Sequence, residues 1–396
     1  MGWQVYDIAR SRGDSIEEGA LLLGFVGLAQ FVPLLLLSLV GGQAADRFNR
    51  RSIVLAGLMV KLVLAAMLLA TPGMVPDLAI ASILAVAALT GLTNAFLPAA
   101  SQAMFSNLVP RAELPQAIAL MSLAFQGGAI AGPAIGGYLL LGGADVPYLV
   151  GAGLFAAAIG LVLATPPPVQ EPAPAGRAWQ MIKEGIVYVR DNKIVLGALS
   201  LDLAVVWLAG ATALLPVFAR DVLQADADAL GWLRAAAALG AGAVSIMLAV
   251  APIRRRVGHW MFGSVAVFGL ATIGFGLSRE IWLSVACLAV AGAADMISVY
   301  VRSSLVQLAT PDAMRGRVAA ISFIFISASN EFGDFQSGVA ARLLGPVTAV
   351  VAGGVGAILV AGLWMRLFRP LAAADRFEDA APEETRRGAG REWQAP

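Results

Sequence analysis

The chain has one cysteine and one histidine in 396 residues, and only 13% of its residues are charged. A single cysteine, Cys287, excludes an intramolecular disulfide. A lone histidine, His259, beside Arg254, Arg255 and Arg256, makes no zinc site and reads as a solvated loop residue. No nucleophile elbow, Walker loop or zinc spacing occurs, so nothing marks the chain as an enzyme. The net charge of +1 leaves no electrostatic footprint for nucleic acid. The scarcity of charge also excludes an ordinary soluble domain, which is about a quarter charged. Here 59% of residues are hydrophobic, more than a single soluble core absorbs.

A bilayer does absorb them, at about 20 apolar residues per helix. Apolar runs of that length fall at 20–41, 53–71, 78–105, 116–142, 147–165, 194–219, 230–252, 260–277, 281–307, 317–343 and 347–367. The fold class that follows is all-α, a polytopic membrane protein with about eleven spans. Abundant Gly and Ala suit helices packed closely in lipid.

The breaks between runs are short and hold most of the charge. In Asp46–Arg51, four of six residues are charged, which reads as a tight aqueous turn between two spans. One set of connections carries Arg47, Arg50 and Arg51; Arg111; Lys183, Arg190 and Lys193; Arg254 to Arg256; and Arg315 and Arg317. The alternate set carries Arg10, Arg12, Arg220, Arg279 and Arg342, offset by acids such as Asp14, Asp77 and Asp221. The positive-inside rule makes the first set cytoplasmic, together with the C-terminus. The expected location is a bacterial-type inner membrane.

Residues 166–193 begin with a proline run and continue with Trp179, Ile182, Ile186 and Val189 at helical spacing. They read as a cytoplasmic linker with an amphipathic helix on the membrane surface. Residues 370–396 are polar and read as a disordered tail. With the C-terminus inside, eleven spans place residues 9–19 outside. Met1–Ile8, apolar and aromatic, then looks like the outer end of a largely missing first span. The expected division is 1–165, a helical half with its first span truncated; 166–193, the linker; 194–369, a six-helix half; and 370–396, the tail.

Gly42, Asp46, Arg47, Arg50 and Arg51 stand in the pattern Gly-x-x-x-Asp-Arg-x-x-Arg-Arg. This resembles the loop signature of the major facilitator superfamily, with Asn49 where a glycine is usual; Asn tolerates the same left-handed turn. Gly128, Gly132, Pro133, Gly136 and Gly137 resemble that superfamily's antiporter motif. Gly2–Asp7, Leu215–Asp221 and Ala309–Val318 are similar to its enterobactin-exporter and secretion-effector branch. The resemblance covers all but the tail. It implies two six-helix halves that alternate access to a central cavity. It implies that Asp46 meets the start of the eleventh span near Gly316, Arg317 and Val318 as a cytoplasmic gate. The glycine motif implies an interface between halves that favours exchange over leak. An ordinary positive turn and simple small-residue packing are the plainer readings of those two motifs.

Charges inside spans are the transport candidates, because each costs at least about 2.5–3.5 kcal/mol at mid-bilayer and needs a partner or a wet cavity. Asp295 and Arg302 lie two turns apart on one helix, and Asp202 lies in another span. They handle substrate or protons, or Arg302 simply pairs with one of the acids. Asn330, Glu331 and Asp334 lie mid-span, with Glu331 and Asp334 on one face and no cation nearby in sequence. A carboxylate pair in low dielectric suits the uptake and release of a proton. Lys61 is expected to snorkel to the cytoplasmic face, and Arg234 to lie at the outer interface. Asn94, Gln102, Pro98 and Gln126 are span polar groups and breaks that serve either substrate or helix contacts. Trp207, Phe96, Phe323 and Phe325 offer aromatic surface, more often packing than ligand contact.

The expected function is export of a drug-like or siderophore-like small molecule by proton antiport. The expected form is a monomer in the lipid bilayer with no cofactor beyond the proton gradient. Rival readings are a facilitator or importer without proton coupling, and a truncated, inactive or non-transporting membrane protein.

Overall fold

The computed structural model describes residues 1–380 apart from Ala144, 167–177, Asp226 and most of 110–134, and leaves out the side chains of a few residues within helices. The described residues are helical, with no strand among them. The helices are α1 (Gly2–Ser11), α2 (Ile16–Arg47), α3 (Arg50–Ala70), α4 (Pro76–Leu108), α5 (Val146–Ala164), α6 (Ala178–Asp191), α7 (Lys193–Leu208), α8 (Ala227–Val250), α9 (Val257–Leu277), α10 (Ile281–Ala309), α11 (Asp312–Leu344), α12 (Pro346–Leu367) and α13 (Arg369–Ala372). Nine segments among the described residues are long and apolar enough to cross a membrane. Of the remaining two runs, 116–142 is only partly among the described residues. The other, 317–343, forms α11, whose internal charges dilute its hydropathy.

Local sequence sets the ends. Ser15 caps α2: its Oγ accepts from the Glu18 N–H at 3.1 Å, and Glu18 Oε2 accepts from the Ser15 N–H at 3.0 Å. Asn192 ends the linker helix α6 and caps α7 by accepting from the Ile194 and Val195 N–H groups. The run 194–219 is not one straight helix. It stops at Ala209, makes a 3₁₀ turn over Ala211–Leu214, and resumes through Leu215–Val217 into a π-helical turn at Phe218–Val222.

The chain forms two compact units that interleave in sequence. The first comprises Met1–Gly176, Ala211–Ala235 and Glu331–Pro346; the second comprises Arg177–Gly210, Ala236–Asn330 and Val347–Pro396. The break after Leu208 falls at one junction, whereas α8 and α11 run unbroken across others.

One packing device occurs in each unit. In the first, a Cβ built on Gly91 would sit 2.1 Å from the Gln30 carbonyl oxygen, and one on Gly41 2.0 Å from that of Ala95. In the second, a Cβ on Gly240 would sit 1.9 Å from the Ala289 oxygen, and one on Gly292 2.0 Å from that of Ala237. The α2–α4 and α8–α10 backbones therefore touch at reciprocal glycines. Gly42, the signature glycine, has no described atom within 4 Å of its missing Cβ. Gly41→Ala is expected to destabilise by about 1–3 kcal/mol, because a backbone carbonyl cannot rotate away. Gly42→Ala should be near neutral. Thermal unfolding in detergent compares them, and equal midpoints would refute the close crossing.

The main core of the second unit gathers Val195, Leu201, Met261, Leu305 and Val360 with Leu371 and Ala374. The disordered tail expected from residue 370 is thus corrected: 369–380 fold back, with Leu371 fully buried. Residues 381–396 lie outside the described residues. In the linker helix, Val189 is buried and Ile186 is half exposed at 51%. The packed face is Gly185, Tyr188 and Val189, with Gly185 against Ile321 and Arg317 of α11 and the Tyr188 hydroxyl donating to the Ala309 carbonyl. The helix is docked on protein through this face, while Ile186 and Val187 are exposed.

Candidate functional site

Glu331 and Asp334 sit where α11 crosses α2. A Cβ on Gly27 would lie 2.8 Å from Asp334 Cβ and 2.8 Å from the Glu331 carbonyl oxygen. Glycine at that point lets the carboxylate-bearing turn press against α2. Aromatic rings flank the crossing: Phe31 and Phe332 have centroids 5.3 Å apart, and Phe25 and Phe335 6.1 Å.

The cation missing from the sequence neighbourhood of this pair is Arg234. It lies in α8, is half buried, and its charge acts on Asp334, which in turn acts on Glu331. Arg234 is thus half buried rather than merely interfacial, and tertiary packing sets Asp334 within the field of its charge. Arg234 also interacts with Tyr148. The Tyr148 hydroxyl donates to Gln4 Oε1 at 2.8 Å, and Gln4 Nε2 donates to Thr71 Oγ1 at 2.6 Å. Hydrogen bonds therefore link Tyr148 of α5 through Gln4 of α1 to Thr71 at the end of α3. Asn330, one residue before Glu331, is exposed.

Asp202 and Arg302 form a direct ion pair and are both nearly buried, at 10% and 8% side-chain exposure. The pair settles which acid Arg302 holds. Asp295, two turns away, is exposed and makes no ion pair with a described residue. Breaking a buried pair leaves an uncompensated charge, costing about 3–5 kcal/mol, whereas removing both charges is close to neutral. Asp202→Asn alone should therefore lower folded yield sharply, and Asp202→Asn with Arg302→Gln should restore it. Transport by the double variant then reads whether the pair is structural; a folded but inactive double variant would assign it to substrate or proton handling.

Lys61 does not snorkel. Its Nζ donates to Asn94 Oδ1 at 3.0 Å, tying α3 to α4 within the bundle. Pro98 is exposed, Trp207 and Phe325 are 44% and 40% exposed, and Phe96 is half buried. Gln126 and the side chain of Phe323 lie outside those described.

The loop signature has a clear mechanical role. Arg50 Nε donates to the Ala45 carbonyl at 3.0 Å and Nη1 to that of Ala103 at 3.3 Å. Arg51 donates to the Val162 and Leu163 carbonyls at 3.2 and 2.8 Å. The two arginines thus cap the C-terminal turns of α2, α4 and α5, where the helix dipole favours cations. Asn49 is not left-handed: its φ is −61° and its side chain caps α3 by accepting from the Ser52 N–H. Arg47 is exposed, Gly42 is half buried, and the Asp46 side chain is outside those described. Arg317, at the start of α11, pairs with Glu184 of the linker helix at 2.5 Å.

Of the antiporter-type motif, Gly137 makes a backbone crossing, its missing Cβ lying 2.1 Å from Gly231 Cα on α8. Gly128, Gly132 and Gly136 have no described neighbour within 4 Å, and Pro133 lies outside the described residues.

A second polar cluster was not legible in the sequence. At the α1 end of the first unit, the Tyr6 hydroxyl donates to Asp221, and Arg10 Nη2 donates to the same carboxylate at 2.9 Å. Arg220 pairs with Asp7. Adjacent Arg220 and Asp221, opposite in charge at the end of an apolar run, were the available signal.

Among solved structures, the chain is similar to a D-xylose-proton symporter, with a TM-score of 0.69 at 13% identity over 93% of each chain. It is likewise similar to the nucleoside transporter NupG, with a TM-score of 0.64 at 13% identity over 88% of this chain and 91% of that one. These likenesses and the long apolar helices define an all-α, polytopic membrane protein of the major facilitator fold. Enterobactin exporter EntS of Shigella boydii serotype 18 is 30% identical over 388 residues, 94% of this chain and 87% of its own. EntS of Shigella flexneri is also 30% identical over the same shares. The transmembrane secretion effector model matches residues 1–386, and the chain belongs to that family. It is a multi-pass secondary transporter of small molecules and not an enzyme.

Proposed function

We propose that the protein exports a small organic molecule across the bacterial inner membrane by alternating access, in exchange for protons. The observation that carries this reading is the Glu331–Asp334 pair, set at a glycine-lined helix crossing with Arg234 as its counter-charge. An exchangeable proton needs a carboxylate whose charge is tolerated in both forms. Arg234 balances Asp334 when it is ionised, and the aromatic surroundings favour it when it is neutral. The EntS relatives support a siderophore-like or drug-like substrate. The basic connections favour a cytoplasmic side for the linker and residue 380, an orientation in which the Tyr6–Asp221 cluster faces outside. The working unit is a monomer that binds no cofactor.

In this reading the Tyr6–Asp221 and Arg220–Asp7 contacts close the outer side, and transport requires them to open. The test is efflux into inverted vesicles over a panel of siderophores, dyes and antibiotics, with and without an uncoupler. Uptake that the uncoupler collapses supports antiport. Uptake that ignores the uncoupler refutes proton coupling and leaves a facilitator.

A further inference from the structure

The second compact unit carries a groove that takes no part in the carboxylate site. It has a volume of about 560 Å³ and lies between α9 and α10. Arg256, His259 and Trp260 form one end, at the start of α9; beyond them Ser264 is the one polar residue of the lining. The surrounding surface is apolar and exposed, with Trp260 at 49%, Val267 at 44%, Leu270 at 61% and Val290 at 49%. On a membrane-spanning chain such a surface faces lipid, and a tryptophan beside arginines marks the headgroup level.

The charge at the mouth is held at a cost to the backbone. Arg256 has φ +55°, in the left-handed region where glycine is unstrained and arginine is not. Its N–H donates to Asp375 Oδ1 at 3.1 Å, and Arg255 stands 3.8 Å from the same carboxylate. Asp375 thus fixes the turn and occupies Arg255. The Arg256 guanidinium is exposed and makes no hydrogen bond or ion pair with a described residue. A cation directed to the mouth of an apolar trough matches an amphiphile whose acid group sits at the membrane surface.

We propose that the groove binds an anionic phospholipid of the surrounding leaflet. The phosphate accepts hydrogen bonds from Arg256, His259 and the Trp260 indole. One acyl chain lies along Gly263, Val267, Val290 and Ala293. Lipid tails are as apolar as these side chains, so the trough supplies shape and the headgroup charge supplies preference. Basic pockets between helices on the cytoplasmic side recognise anionic headgroups by the same physics.

Native mass spectrometry of the purified full chain tests this, titrating phosphatidylglycerol and phosphatidylethanolamine of matched chains into delipidated micelles. The expected result is a preference for phosphatidylglycerol of about fivefold, the factor one basic residue near an anionic surface supplies. Arg256→Gly removes the charge and suits the local φ, so it keeps the fold and should erase the preference. Gly263→Leu fills the trough; no described atom lies within 4 Å of its missing Cβ, and it should reduce retention of both lipids. Equal retention of the two lipids by the unmodified protein overturns the proposal. So does retention unchanged in both variants, or displacement of the lipid by a transported compound, which would make the groove a substrate vestibule.

Discussion

Asp334→Asn is expected to lower uncoupler-sensitive efflux about 10²-fold or more, the scale lost when a positioned proton-transfer group can no longer titrate. Asparagine keeps the shape of the side chain, so the Gly27 crossing survives and the protein should still be inserted and folded. The substitution leaves Arg234 without the carboxylate that balances it. A bare guanidinium in low dielectric is costly, so the single variant should also be less stable. Asp334→Asn with Arg234→Gln removes both charges. That double variant should recover stability and carry substrate down its own gradient, indifferent to pH and to an uncoupler. Glu331→Gln should have the smaller effect, because Glu331 meets Arg234 only through Asp334. Substrate counterflow separates binding from coupling in each variant. If Asp334→Asn retains uncoupler-sensitive efflux, Asp334 is not the proton carrier.

Breaking the Tyr6–Asp221 and Arg220–Asp7 contacts is expected to favour the open form if, as proposed, they close the outer side. Part-exposed ion pairs contribute about 0.2–1 kcal/mol each, so the two pairs together would favour the closed form by about 0.4–2 kcal/mol. Asp7→Asn with Asp221→Asn should shift the opening equilibrium about 2–30-fold. Ser337 is 5% exposed in the α11 segment of the same unit. Ser337→Cys in a Cys287→Ser background should react slowly with a membrane-impermeant maleimide from outside, and faster by that factor in the double variant. Exchanging one pair, as Asp7→Arg with Arg220→Asp, should restore slow labelling if attraction matters and identity does not. Unchanged labelling throughout would show that the cluster braces α1 without gating anything.

These two experiments address different links. The first concerns the chemistry of one carboxylate, the second a conformational equilibrium. A protein that opens normally but does not couple to protons, or couples but opens poorly, would be resolved by the pair together.

The sequence by itself determined the solvent this protein folds in and most of its helices. Apolar runs of span length and charge confined to short breaks leave no other way to satisfy the backbone. It determined the i, i+3 spacing that puts Glu331 and Asp334 on one face, because helix periodicity is local. The signature Arg50 and Arg51 were legible only by resemblance; that they cap α2, α4 and α5 required the carbonyls of Ala103, Val162 and Leu163 to arrive from elsewhere in the chain. Only the tertiary structure decided partners. It chose Asp202 over Asp295 for Arg302, set Asp334 in the field of Arg234, tied Lys61 to Asn94, and folded 369–380 back onto α7 and α9. Each choice depends on which helix faces cross and how closely. The crossings are set by glycines such as Gly27, Gly91 and Gly240, whose significance lies in the backbone that presses against them. A hydropathy profile records how much apolar surface a helix has, but the neighbour that covers it is fixed by packing between segments far apart in sequence.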